Sequence, residues 1–399
     1  MRPICLALAV VLLGGKVTIS APEASGRILG ASQDATAANN QRKIAQTSEG
    51  LYLAYVAPED GVDQVFVARS TDGGRRWIRE ARLSRRGIRA SLPAVAADRA
   101  GRVHAVWVDY ETVGHVWYAV RGAGGWSGHT KLSLGPDYAG FPAVAAASDG
   151  VHVVWYGVRP GETTRHGAIY EILHTRSVPG GWSRPALLSA GFPDSLNPAL
   201  EAAGGVLQAA WYQFDGQRYR VHHATWREGR WESPALVSQP GHDAYGVALA
   251  VEPDGTAHLV WERRDRAGPF VTYARLSLGA LVAEETVSAE AGEAPTVAVG
   301  ADRTVYVAWI SKDRVLLRRR EGRWRPIQSL GPGAHPTLYA ASEVWLAWTR
   351  AAGGTSEIVA GPVSPPADAQ RPRSGHWLTW VIFAALVALY LLLRRSIRR

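Results

Sequence analysis

Apolar and polar residues alternate along most of the chain in short runs separated by glycine-containing turns. Alternation with a period of two predicts half-buried strands, not helices. The stretch Pro93–Ser133 shows the pattern most regularly. An apolar run opens at Pro93, a turn follows at Asp98–Gly101, and Val103–Val108 alternates around Trp107. His115–Arg121 alternates again, Gly122–Gly125 turns the chain, and Trp126–Ser133 closes the unit. This reads as four short strands in succession.

Loose copies of the unit fill the chain. The second strand recurs at Leu51–Val56, Val103–Val108, Val151–Tyr156, Leu207–Tyr212, Ala257–Glu262, Val305–Ile310 and Val344–Thr349. Its aligned aromatics are Tyr55, Trp107, Trp155, Trp211, Trp261, Trp309 and Trp348, spaced on average about 49 residues apart. The fourth strand recurs as a Trp-to-Ser run at 77–84, 126–133, 182–189 and 231–238, with poorer copies at 282–288 and 324–329. Four strands in such a period describe a propeller blade, so the pattern predicts an all-β, seven-bladed β-propeller over 26–361. A six-bladed ring with one irregular copy is the alternative. Each strand tryptophan is expected to fill the gap between neighbouring twisted blades. The last copy has three strands and then runs into prolines, while Arg27–Ser32 is a spare strand at the front. A closed ring leaves no open edges, so Arg27–Ser32 is expected to complete the last blade.

Composition changes this picture only at the ends. The net charge of +9 comes largely from Arg394, Arg395, Arg398 and Arg399, with Arg2 and Lys16 adding to it. The repeat region is close to neutral, which gives no case for nucleic-acid binding. The only cysteine, Cys5, lies outside the repeats, so disulfides do not stabilise them. Residues 1–21 combine Arg2 with an apolar run, the pattern of a secretory signal. Residues 362–376 carry four prolines and read as an extended tether. Trp377–Leu393 is uncharged and precedes the basic tail 394–399, as expected for a single transmembrane helix with a cytoplasmic C-terminus. The expected location is the cell membrane, with the propeller outside the cytoplasm of a bacterial cell.

One turn carries a more specific signal. Ser70-Thr-Asp72-Gly-Gly74-Arg-Arg-Trp77 fits Ser-x-Asp-x-Gly-x-x-Trp. This resembles the Asp-box of the bacterial neuraminidase repeat, and the chain resembles the sialidase-like propeller superfamily as a divergent member. The resemblance is good across the first blade and is otherwise one of repeat pattern. It implies that Ser70, Asp72, Gly74 and Trp77 hold a structural turn on the face opposite any active site. It also implies a catalytic set of arginines, a tyrosine nucleophile and an aspartate acid/base. Arg42 stands roughly where the first arginine would, in Gln41-Arg42-Lys43-Ile44-Ala45, without the family's aromatic and proline. Asp60 or Asp63 occupies the region of the aspartate, and Tyr339 that of the nucleophile, without the usual following serine. Two further arginines are not placed by motif.

The loops expected over the channel carry their own chemistry. They present Arg89, Asp109, Tyr110, Glu111, Asp137, Tyr138, Asp194, Asp243, Tyr245, Glu262, Glu293 and His335. Carboxylates with tyrosine and histidine between them suit polyol hydrogen bonding or a bound cation, although Asp is also an ordinary turn residue. No motif with metal-ligand spacing occurs, no nucleophile elbow occurs, and no cofactor is expected. The leading expectation is a non-catalytic module binding a glycan or a protein. A sialidase-like exo-glycoside hydrolase is the alternative.

Overall fold

The computed structural model describes residues 26–164, 167–189 and 194–363. The expected signal segment, most of the linker, the expected span and the basic tail lie outside the described residues. Among the described residues, no helix is long and apolar enough to cross a membrane.

Seven antiparallel sheets make seven blades. The first contains Ile44–Thr47, Gly50–Glu59, Val62–Ser70 and Ile78–Arg82, ordered from the inside outwards. The next five cover 89–131, 139–187, 195–236, 243–286 and 293–332. The seventh contains Ala334–Ala340, Val344–Ala352 and Thr355–Pro362, and Gly26–Ala31 adds its outer strand by pairing with Thr355–Pro362. The spare strand therefore closes the ring as expected, with Gly26 opposite Ala360. We call upper the face bearing the turns between second and third strands and the segments entering the inner strands. Both Gly26 and Pro362 lie at the lower face, because the third strand of each blade runs downwards.

The outer strands differ from the expectation of single eight-residue runs. In blades 2, 3, 4 and 6 they are two short pieces, such as Gly125–Trp126 and Thr130–Lys131. Pro185, Pro234 and Pro326 stand in the gaps of blades 3, 4 and 6, where they lack the N–H a ladder needs.

The core lies between blades. Trp107 is fully buried among Tyr52, Val65 and Val67 of the preceding blade. Trp155, Trp211, Trp261 and Trp309 repeat the arrangement one blade further each time. The strand tryptophans are thus packing elements, as their period predicts.

A second repeated feature shapes the centre. The inner strands of blades 2–7 each carry a bulge, across Ser91/Ala94 in blade 2 and Gly140/Ala143 in blade 3, for example. At each bulge a residue takes positive φ: Leu92, Phe141, Asn197, Gly246, Ala294 and His335. Proline follows in five of the six, and only Gly246 adopts this conformation without a side-chain penalty. Proline offers no ladder N–H, and the bulge turns a carbonyl out of the sheet into the channel.

Candidate functional site

Those carbonyls are buried acceptors and need donors. The segment 36–43, between the closing strand and the first blade, supplies them. Thr36 Oγ1 donates to His335 O at 2.8 Å. Asn39 Nδ2 donates to Gly246 O at 2.5 Å and Pro295 O at 2.6 Å. Asn40 Nδ2 donates to Pro198 O and Gln41 Nε2 to Pro142 O, both at 2.7 Å. Lys43 Nζ donates to Pro93 O at 2.5 Å and to Gln41 Oε1 at 2.6 Å. One polar plug thus joins all six remaining blades at the axis. The sequence contained its signal, an unbroken polar run Asn39–Lys43 beside a repeated proline in the inner strands, but neither half means anything until the ring brings them together.

Arg42 belongs to this plug. Its Nε donates to Glu201 at 2.8 Å, and its Nη1 to Val297 O at 2.7 Å and Leu338 O at 2.9 Å. Its Nη2 donates to Leu249 O. The guanidinium points down the channel, committed to four blades. Tyr339 lies near the lower end of its inner strand, where its hydroxyl accepts from the N–H of Gln46 at 3.2 Å. Burial raises its pKa, and Glu201 adds to the rise while Arg42 opposes it. The structure therefore brings Arg42 and Tyr339 together with Glu201, which the sequence reading passed over. Asp60 and Asp63 stand at the other face. Asp60 sits in a Glu59–Val62 hairpin at φ 53°, paired with Arg86 at 2.7 Å. Asp63 accepts from Ser32 Oγ. The four residues suggested by the resemblance do not form one site.

The Ser70–Trp77 turn is tied together by its own side chains. Asp72 accepts from the Arg76 N–H at 2.9 Å and Ser70 Oγ at 3.0 Å, and Ser70 Oγ accepts from the Gly74 N–H at 2.9 Å. The backbone bond from Arg76 leads the effects that hold Asp72 down at about 2. A Cβ on Gly74 would fall 2.4 Å from the Trp345 ring, so the close approach to blade 7 requires glycine. The turn is scaffold at the lower face.

The upper face over blades 2–5 is different in kind. Tyr110, Tyr138, Phe141, Tyr156, Tyr170, Tyr212, Phe214, Tyr219 and Tyr245 are all half-buried there. Their rings form two linked groups. Tyr156 meets Tyr170 edge-on at 5.5 Å, and Tyr138 lies 5.7 Å from Tyr156. Tyr212 meets Tyr219 edge-on at 5.5 Å, and Tyr245 lies 5.6 Å from Tyr212. Arg89 stacks on Tyr110 at 4.7 Å at one end, and Arg264 on Tyr245 at 5.2 Å at the other. Burial raises the phenol pKa of Tyr138 and of Tyr212, and neighbouring phenols add to it. These two hydroxyls remain protonated donors at any physiological pH.

The carboxylates expected on this face serve mostly to hold it. Asp109 is fully buried, accepting from Trp107 Nε1 at 2.8 Å and Arg85 Nε at 3.0 Å. Burial raises its pKa against the pull of Arg85. Glu111 pairs with Arg85 at 3.4 Å. Asp194 accepts from the Tyr170 N–H at 3.2 Å, and Asp243 from the Tyr219 N–H at 2.9 Å. Glu262 accepts from Arg264, its pKa raised by burial and by Glu293 against the pull of Arg264. His335 contacts Asp34 at 3.0 Å. Asp137 lines a cavity of 180 Å³ that Tyr138 and Trp155 also border. The sequence reading found Tyr110, Tyr138 and Tyr245 here. It missed Tyr156, Tyr170, Tyr212 and Tyr219 because they belong to the apolar runs of the second and third strands, where an aromatic ordinarily signals core.

The lower face carries buried histidines instead. His104 bonds Asp98 at 3.1 Å, His152 bonds Asp149 at 2.9 Å, and His258 bonds Glu252 at 2.9 Å. His152 also stands 2.9 Å from His174, whose pKa burial depresses to about 3. His222 stacks on Trp211 while His223 bonds Gln208, so the adjacent pair faces opposite ways. Among the described residues, no group of three His, Cys, Asp or Glu is arranged to hold a metal.

Together these features define a closed seven-bladed β-propeller with a polar plug at its axis and an aromatic arc on one face. No protein-family profile matches the chain, and no curated protein matches it in sequence. Solved structures share its fold. One is an ulvan lyase of a polysaccharide-lyase family bound to -[GlcA(1-4)Rha3S]-, with TM-score 0.58 and 10% identity over 85% of this chain and 97% of that one. The polysaccharide lyase Uly1 gives 0.56 and 10% over 81% and 90%. A puromycin-hydrolyzing peptidase of Mycobacterium tuberculosis gives 0.52 and 15% over 82% and 54%. At such identities the likeness is one of fold.

Proposed function

We propose that this protein is an extracytoplasmic propeller, tethered to the membrane by its C-terminal segment, that binds a carbohydrate across the tyrosine arc and performs no chemistry on it. The arc carries the reading. Half-buried tyrosines offer flat apolar faces for the C–H surfaces of sugar rings and fixed hydroxyls for their polar edges, at low entropic cost. Polysaccharide lyases and a peptidase share the fold, so the fold itself does not select a ligand. The tether rests on the uncharged run Trp377–Leu393 and the arginines that follow it. A glycan array probed with the full chain in detergent tests the binding. Signal on one class of glycan, weakened in Tyr156→Ala and in Tyr212→Ala and lost when the two are combined, is expected; no signal on any glycan would overturn the reading. Resistance of the full chain to alkaline extraction from membranes, lost on deletion of 377–399, tests the tether.

A sialidase-like hydrolase is the second reading, favoured by the Ser70–Trp77 turn and by the meeting of Arg42, Tyr339 and Glu201. It requires an arginine free to take a carboxylate, whereas Arg42 is committed to three carbonyls and Glu201. It predicts release of the fluorophore from an aryl sialoside, abolished by Arg42→Ala and by Tyr339→Phe. Absence of release removes it.

A further inference from the structure

The arc is the same device built twice. In blade 3, Tyr156 follows the buried Trp155, and in blade 4 Tyr212 follows the buried Trp211. Tyr156 pairs across the sheet with Ile172, and Tyr212 with Val221. The third-strand tyrosine stands two residues earlier in both blades, as Tyr170 and as Tyr219. The edge-on contacts match: 5.5 Å and 84° in one, 5.5 Å and 79° in the other. The anchors match as well. Asp194 caps the Tyr170 N–H, and Asp243 caps the Tyr219 N–H, each from the segment entering the next blade. A third tyrosine adjoins each group from a different side, Tyr138 from the segment entering blade 3 and Tyr245 from the inner strand of blade 5, so the match lies in the paired strand tyrosines and their caps.

The device stops on both sides. In blade 2 the corresponding positions hold Val108 and Gly114, and a Cβ on Gly114 would fall 2.8 Å from the Tyr138 ring. In blade 5 they hold Glu262 and Pro269. Two like surfaces therefore stand side by side, one blade apart, and blades 2 and 5 present other side chains.

We propose that the two tyrosine groups are two equivalent subsites for successive stretches of one linear, repeating polysaccharide. This rests on the carbohydrate reading above and deepens it. A terminal sugar needs one pocket. Two copies of one surface in sequence suit a ligand whose chemistry also repeats. Joining two weak contacts through one chain raises the overall affinity by effective concentration, without a new kind of contact. The prediction extends to stoichiometry. A short oligosaccharide, satisfied by one subsite, binds twice per protein molecule. A long one spans both and binds once.

Isothermal titration of the full chain in detergent separates the outcomes. The probes are size-graded oligosaccharides, from one to eight residues, prepared from cellulose, chitin, hyaluronan and polygalacturonate. In the ladder that binds, the expected result is two short oligomers per protein, one long oligomer, and at least a tenfold gain in affinity between them. Tyr156→Leu and Tyr212→Leu, which keep apolar bulk, are each expected to leave one short-oligomer site and remove the long-oligomer gain. The double variant removes both sites. Thermal unfolding of each variant checks that the fold is retained. Affinity and stoichiometry independent of length would overturn the two-subsite proposal while leaving carbohydrate binding standing. No binding by any ladder would overturn both.

Discussion

The axis and the arc are built on the same repeat and use it in opposite ways. At the axis, blades 2–7 do one thing: each presents a bulge carbonyl, and the plug answers it. On the upper face the blades diverge, and only blades 3 and 4 carry the paired tyrosines. At the axis the polar groups named are bonded within the protein, with Asn40 Oδ1 a buried exception. The rings of the arc are only partly buried and keep a share of their surface open to solvent. Chemistry repeated around the ring builds the scaffold, and chemistry confined to two blades is what the carbohydrate proposal rests on.

The sharpest way to break this contrast is to open the ring. Removing Gly26–Ala31 strips the outer strand from blade 7 and exposes the edge of Thr355–Pro362. Loss of cooperative unfolding is expected, read by differential scanning calorimetry; a single sharp transition at the parent temperature would show that closure does not matter.

Acid should act next. Burial lowers the pKa of His104, His152, His174, His222, His223 and His258, with His174 at about 3 and His222 and His223 at about 4. The unfolded chain takes up protons near pH 6.5 and the folded one does not. Their stabilisation is therefore present above about pH 6.5 and is lost as pH falls towards 4. Each depressed pKa unit corresponds to about 1.4 kcal/mol, so a decline of several kcal/mol is expected in denaturant titrations across that window. A flat profile would count against burial of the neutral forms.

Arg42→Ala should follow, costing about 3–5 kcal/mol by leaving Glu201 and the axial carbonyls without their donor. Carbohydrate binding on the arc should survive in the folded fraction; parallel loss of both would place Arg42 in the ligand site. Lys43→Met is expected to be milder. It leaves Pro93 O and Gln41 Oε1 without their donor but relieves the burial of an amine whose pKa burial pushes well down, so a loss of about 1–3 kcal/mol is expected. Asp194→Ala and Asp243→Ala lie at the small end of the scale. Each removes one cap, costing about 1 kcal/mol, and should weaken binding by loosening the tyrosine behind it.

The fold was legible in the sequence because its cause is periodic. Seven aligned aromatics give seven blades, and the surplus strand at Arg27 with the deficit after Thr355 gives the closure. The plug was not legible. Asn39–Lys43 reads as a polar loop until carbonyls from blades far apart in sequence converge on it. The site was half legible. Tyr138, just ahead of an inner strand, and Tyr245, beside an inner-strand bulge, declare themselves by position. Tyr156 and Tyr212 look like one more aromatic beside a buried tryptophan, because strand alternation shows that neighbours face opposite ways but not which way is out at the strand's upper end. Asp109, Asp194 and Asp243 show the converse: a carboxylate that reads as open loop chemistry also holds its neighbours in place, Asp109 in a strand and fully buried.

Gly26 stands opposite Ala360, so the propeller begins and ends at one spot on its lower rim. That rim works as a handle. An affinity tag, a fluorophore or a sensor-chip linkage added at either end of the propeller leaves the tyrosines facing free solution. A fusion there need not compete with a ligand. Closing a loop across the handle and cutting the ring at an upper turn would instead carry the new ends to the arc, turning the same protein into one whose attachment point and recognition surface coincide.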